Sequence, residues 1–327
     1  MNFAGVTAPA KGSFPVQASY LAGRYGMDAI WLAAGAAVGW GVADYFGGAS
    51  RGRTSVLVVV AVSEGLGLCL LIPVLIARGV PLPASPRLLL AALAGAAVTV
   101  ELSLIYLALS RGEGFITASV GALGAAAAAT AGLIGGDTLD GLVAAGMACA
   151  LVGGGVTAWT PGGHSRGGGR LRSAALCAGA ASAVAVMLIS FRAAGRLDPY
   201  WATAVEHAST ALCAVPIACA ASRGSRRRPR RRPRQRPHRR PHRRLLPEVT
   251  QVPGLALVAF AGVAGDLAYA GASQHGALSV VSAVSSLYPV TTIALGVAIQ
   301  RQRPNRIQVA GIILALVGAA VLGSATG

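Results

Sequence analysis

The sequence predicts an all-α integral membrane protein with ten transmembrane helices in two inverted five-helix repeats. Three observations predict it. Hydrophobic residues fill 54% of the 327 positions and charged residues only 12%, about half the charge of an ordinary soluble domain. That charge is concentrated, with 13 arginines inside residues 223–244. Apolar runs of about 20 residues recur along the chain, the length at which a helix crosses a bilayer. Such a composition excludes a soluble enzyme, a disordered chain and a fibrous protein. The runs are continuous rather than alternating, which excludes a β-barrel.

Residues 1–27 read as a weakly structured leader. Residues 1–26 hold only Lys11 and Arg24 as basic residues, with no tripartite secretory signal. Met27 opens the first apolar run directly, which makes it an alternative start. Spans then run near 28–48, 55–77, 87–109, 114–135 and 139–159, giving a first five-helix repeat over 28–159. Short charged, Gly or Pro breaks separate them at 50–53, 78–86, 110–113 and 136–138. Residues 160–172 are a Gly-rich, flexible linker by composition. Spans near 173–193, 200–222, 252–272, 277–299 and 306–325 make the second repeat, 173–325. It carries an Arg/Pro-rich loop at 223–248, where Pro229, Pro233, Pro237 and Pro241 recur every four residues. That loop is low complexity and cannot form a packed core. The 44 glycines, with pairs such as Gly35 and Gly39, predict close helix packing. All five cysteines lie in apolar runs without a C-x-x-C pair, so they read as small lipid- or core-facing residues.

The repeat rests on matches in one order. Asp137 to Gly146 parallels Gln302 to Gly311 at an offset of 165, as does Leu151-Val-Gly153 with Leu316-Val-Gly318. Gly112 to Leu123 parallels Gly276 to Leu287 at 164, and Pro73 corresponds to Pro216. Five spans per repeat is odd, so the second half enters the membrane upside down. Inverted repeats of this kind are a plan of secondary transporters, with the substrate site near the midplane between the halves.

Over residues 28–325 the chain resembles the drug/metabolite transporter superfamily, in its ten-span group with two EamA-type repeats. The residues that carry the resemblance are Ala108-Leu-Ser-Arg-Gly112, Gly276-Ala-Leu-Ser-Val-Val-Ser282 and Ser286-Leu-Tyr-Pro289, with the hairpin ends at 137–146 and 302–311. The resemblance implies export or exchange of small metabolites, such as amino acids or similar solutes, without ATP. Where that family has a hairpin Glu, this chain has Asp137 and Gln302. Neither is assigned a transport role.

Chemistry is confined to intramembrane acids. Asp44, Glu64, Glu101, Glu206 and Asp266 fall within spans. A charged side chain there costs about 2.5–3.5 kcal/mol on insertion scales, so it faces a cavity or a partner. Glu64 precedes Pro73 by nine residues, and Glu206 and His207 precede Pro216 by ten and nine. Glu101 and Asp266 lie in the third and eighth spans. Each half thus carries an acid in its second and third spans, a symmetric set suited to proton or cation binding. The sharp candidates for substrate or proton binding are Glu64, Glu101, Glu206, His207 and Asp266. Glu64 is the first choice. Glu206 with His207 is second, since an adjacent imidazole can share a proton. The alternative is that these acids bond Ser, Thr or backbone on neighbouring helices. Weaker pathway candidates are Asp44, Tyr106, Tyr269 and Tyr288, with Trp40 and Trp201; each aromatic also suits an interface anchor. Pro73, Pro216 and Pro289 break the helix ladder and so bend or open it.

No metal site, cofactor or nucleotide loop is expected. There is no G-x-x-x-x-G-K-[ST], no H-E-x-x-H and no nucleophile elbow, and Lys11 is the only lysine. The expected partners are a small-molecule substrate and membrane lipid, with anionic lipid at the arginine loop. Nucleic acid is not expected, because the loop lacks interleaved aromatics. Orientation is left between two readings. The family plan places both termini in the cytoplasm, with six basic residues on that side and 22 of 28 on the other. The positive-inside rule favours the reverse, and we prefer the charge count. The functional expectation is a cell-membrane secondary transporter working by alternating access. The rivals are a scaffold anchored by the arginine loop and a membrane enzyme acting on lipid-linked substrates.

Overall fold

Small residues set the distance between helices in this protein. The computed structural model describes residues 27–49, 56–109, 116–137, 140–157, 170–227, 252–301 and 303–324. The leader, most of the expected linker and the arginine run beyond Arg227 lie outside the described residues. The helices are α1 (Met27–Ala49), α2 (Val56–Arg78), α3 (Leu89–Leu109), α4 (Ile116–Ile134), α5 (Gly141–Thr157), α6 (Arg170–Gly195), α7 (Pro199–Arg227), α8 (Val252–His275), α9 (Leu278–Ser285), α10 (Tyr288–Gln300) and α11 (Arg306–Ser324). A single 3-10 turn at Pro86–Leu88 leads into α3. Among the described residues there is no strand.

Among the described residues, seven segments are long and apolar enough to cross a membrane: Asp28–Gly48, Leu57–Arg78, Pro86–Ile105, Ala174–Gly195, Pro199–Ala220, Pro253–His275 and Leu278–Gln300. The other three expected spans fall on shorter apolar helices, Val120–Ile134, Gly141–Val156 and Arg306–Leu322. The polarity is inside out relative to a soluble fold. Leu212 and Phe260 are 75% and 64% exposed, while Ser279, Ser282, Ser285 and Thr210 are fully buried. An exterior this apolar suits lipid rather than water. The protein is a multi-pass, all-helical membrane protein.

Three boundaries differ from the sequence reading. The helix α6 begins at Arg170, three residues before the expected span at 173. At the far end, α7 continues to Arg227 and takes the first residues of the expected arginine loop. The expected span 277–299 is two helices, broken after Ser285. Pro289 sits in the first turn of α10. Proline has no N–H to give and disfavours helix in the residue before it. The Ser286 hydroxyl donates to Ala283 O at 2.7 Å and closes the first half of the break. Pro73 and Pro216, by contrast, lie inside continuous helices.

The helices pair in a pattern. The first, α1, packs on α8 and on the α9–α10 pair; α6 packs on α3 and on α4; α2 packs on α7, and α5 on α11. The α5–α11 contact shows how close the approach is. A Cβ added at Gly153 would stand 2.3 Å from Ala315 N and 2.8 Å from Gly311 O. One added at Gly318 would stand 2.4 Å from Ala150 N and 2.6 Å from Gly146 O. The order of these contacts makes the two helices antiparallel. Backbone at such distance is why both positions are glycine.

Helix ends are satisfied by side chains. Asp140 Oδ1 accepts from Val143 N at 2.8 Å and caps α5. Asn305 and Gln308 cap α11 reciprocally, at 2.8 and 3.0 Å. Asp198 caps α7, accepting from Tyr200 N and Trp201 N, both at 2.9 Å. It also accepts both arms of the Arg78 guanidinium, at 3.0 and 2.9 Å, which ties the end of α2 to the start of α7.

Candidate functional site

The site begins with a close approach of α2 and α7. A Cβ on Gly67 would stand 2.9 Å from His207 Cε1 and Nδ1. Only glycine lets the imidazole lie flat on α2. His207 is 2% exposed. Its Nδ1 pairs with Glu64 Oε2 from α2, and its Nε2 lies 3.2 Å from Asp266 Oδ2 of α8. The other Asp266 oxygen accepts the Trp40 indole N–H from α1 at 2.8 Å. Three helices therefore meet on one imidazole, and α1 joins them through Asp266.

Glu206, the neighbour of His207 in sequence, does something else. Its Oε1 accepts from the Thr210 hydroxyl at 2.8 Å. Its Oε2 is buried with no hydrogen-bond partner. The residue as a whole is 5% exposed. The two imidazole nitrogens face Glu64 and Asp266, and Glu206 offers an oxygen within 4.8 Å of the Glu64 and His207 ligand atoms.

A cavity of about 230 Å³ opens beside this cluster. All five intramembrane acids line it: Asp44, Glu64, Glu101, Glu206 and Asp266. Trp40 and Tyr288 add aromatic surface. Glu101 lies near enough to Asp44, and Tyr288 to both, for their charges to interact. His207 stands behind the wall and holds two of the acids in place. Each of its two N···O contacts needs one proton, carried on nitrogen or on oxygen.

Glu64, Glu206 and His207 each offer a ligand atom within 4.8 Å of the others, so these three would hold a metal ion if any do. Both imidazole nitrogens already face carboxylates, and a metal would have to displace one of them.

The weaker candidates divide. Asp44 and Tyr288 line the cavity. Tyr269 does not; it packs against Trp40 and Phe191, at 5.4 and 6.0 Å between ring centroids. Its hydroxyl donates to Leu188 O at 2.9 Å, joining α8 to α6. The side chain of Tyr106 lies outside the described residues. Trp201 donates to Val80 O at 3.0 Å at a helix end, away from the cavity.

Two polar roles escaped the sequence reading. Asp137, given no transport role, accepts from Ser279 N at 3.0 Å and Ser279 Oγ at 2.9 Å, and so caps α9 across the fold. The signal was present, since an acid at a hairpin end suits a helix N-terminus. Trp40 as the donor to Asp266 had no signal, because the pair is 226 positions apart.

Fold and site together define a polytopic α-helical membrane protein enclosing an acid-lined, solute-sized cavity. Residues 172–324 match the EamA-like transporter family, which supports the drug/metabolite transporter resemblance over that part of the chain. A solved structure, described as the crystal structure of a protein, is similar in fold with a TM-score of 0.67 at 18% identity, covering 90% of this chain and 95% of its own. No curated protein matches the chain.

Proposed function

We propose that the protein is a secondary transporter of small metabolites in the cell membrane, exporting or exchanging them by alternating access. Ten crossings form two inverted repeats, 28–159 and 173–325. The observation that carries this reading is the cavity, whose five acids come from α1, α2, α3, α7 and α8 and so from both halves.

Symmetry in the packing supports the repeat. Exchange of the halves turns the α1–α8 contact into α6–α3, and α1 against α9–α10 into α6 against α4. At the offset of 165 it also turns Gly153 against Ala315 and Gly311 into Gly318 against Ala150 and Gly146. The prolines align Glu64 with His207, and these two are in contact. Equivalent residues meet where a twofold axis passes. The Glu64–His207 contact thus joins the two halves at their centre, where rocking of one half on the other would make and break it. That links proton binding to access. The convergence of the acids inside the bundle, rather than at one interface, argues against an enzyme acting on lipid-linked substrates. The arginine loop at 223–248 would rest on anionic lipid.

The test compares metabolite pools inside and outside cells overproducing the wild type, the Glu64→Gln variant or neither. A solute that moves with the wild type alone supports carriage and a part for Glu64. Equal movement with both keeps transport and removes Glu64. No movement with confirmed membrane insertion would favour the scaffold.

A further inference from the structure

We infer that the cavity takes an organic cation, a small molecule with an ammonium group on a short apolar or aromatic body. This deepens the transport reading, since it takes the cavity as the substrate site. Five carboxylates line it, and among the described residues no lysine or arginine does. Glu206 gives the site its hook. It lines the cavity, is 5% exposed, and keeps Oε2 without a partner. A buried carboxylate oxygen left open is costly unless something positively charged or hydrogen-bonding fills the place. The Trp40 and Tyr288 rings on the wall offer faces that attract a cation.

The lining also selects against the opposite charge. A substrate carboxylate would need donors, and three of the four side-chain donors of the wall are already used, Tyr288 being the fourth. Ser63 Oγ donates to Val60 O at 3.0 Å, Ser286 Oγ to Ala283 O at 2.7 Å, and Trp40 Nε1 to Asp266. Like charges brought together are disfavoured strongly. An amine is therefore favoured over an amino acid or an organic anion. Size agrees: about 230 Å³ far exceeds the roughly 10–15 Å³ that holds one water, which leaves room for a small organic molecule. A bare metal ion is the weaker fit, because the imidazole is clamped on both sides and the walls include Val59, Val98 and Leu102.

The test is equilibrium binding of labelled phenethylamine to the purified full-length protein in detergent. Its anionic analogue 3-phenylpropionate and neutral analogue phenethyl alcohol serve as competitors, with manganese chloride assayed separately. Saturable amine binding is expected, with both analogues competing at least tenfold more weakly than unlabelled amine. Glu206→Gln should weaken binding at least tenfold, and Asp140→Asn, a helix cap away from the cavity, should leave it unchanged. If Glu206→Gln is not monodisperse, Glu101→Gln takes its place. Equal competition by the anion, absence of saturable amine binding, or manganese binding alone would each overturn the inference. The same amine is then loaded into proteoliposomes. Binding without movement would keep the cation class and end the transport reading. Movement of other solutes without amine binding would do the reverse.

Discussion

The Arg78–Asp198 corner and the His207 cluster set carboxylate against cation on the same two helices, α2 and α7, and they end in opposite states. At the corner every charge is answered. Asp198 accepts two guanidinium bonds and two backbone amides, and the guanidinium also lies 4.1 Å over the Tyr200 ring. At the cluster three acids surround one imidazole, and Glu206 Oε2 is left over. A saturated network rigidifies, whereas a partly satisfied one keeps a place for a proton or ligand. One pair locks the helices together at an end, and the other leaves a carboxylate oxygen unanswered at the centre. Function is to be sought where pairing is incomplete.

The comparison breaks most forcefully at His207. His207→Leu removes the imidazole and leaves Glu64 and Asp266 facing each other across a buried gap. Removing one partner of a buried pair costs about 3–5 kcal/mol. Transport should vanish and the detergent-solubilised protein should melt at a clearly lower temperature. If Glu64 and His207 are equivalent positions on an axis, the swap Glu64→His with His207→Glu rebuilds the contact. The double variant should recover most of the lost stability. A double variant no better than its singles would sink the axis argument.

A second test sharpens the symmetry itself. Gly153→Ala and Gly318→Ala each place a methyl against backbone, 2.3 and 2.4 Å from the Ala315 and Ala150 amides. The helices must separate, at about 1–3 kcal/mol for overpacking. The two costs should agree to within about 0.5 kcal/mol, a spread typical of independent measurements. Gly65→Ala is the control, since its Cβ meets nothing within 4 Å. Thermal unfolding of the three variants decides it, and unequal losses at 153 and 318 would count against exchanged halves.

Much of this was legible in the sequence where one-dimensional signals suffice. Apolar runs found the helices, because lipid demands length and hydropathy from each span separately. The prolines set Glu206 and His207 together against Glu64 in the repeat, and only the fold decides which of the two meets it. Other features depend on direction and distance. The pairing of His207 with Asp266 follows from the approach of α8, which is not local. Tyr269 has the composition of a pathway residue and the surroundings of a packing one. Asp137 reaches Ser279 across 142 positions. The break at 286–287 had its proline in view, but Pro73 and Pro216 show that proline alone does not decide. Neighbouring helices and side chains can re-satisfy the freed backbone groups in a membrane.

The smallest effect is expected at the corner, and its pH dependence is the sharpest contrast with the cluster. Burial works against ionisation of Asp198, but the Arg78 guanidinium and the Trp201 and Tyr200 amides outweigh it and hold its carboxyl below the usual carboxylate range. A carboxyl depressed in the folded state stabilises the fold at every pH above its unfolded value, and that contribution is lost only as pH falls through the folded value. Since the unfolded value is about 3.9, nothing from this group should change between pH 5 and pH 8. Asp198→Asn keeps an oxygen to cap α7 but loses the charge that meets Arg78. The expected cost is about 1 kcal/mol at neutral pH, shrinking towards zero in acid, with solute movement in proteoliposomes unaltered. The cluster should respond in the opposite sense. His207 variants should change transport and its pH profile together, because each of the two N···O contacts there needs a proton. Asp198→Asn lowering transport while leaving the melting temperature intact would erase the distinction between the two regions.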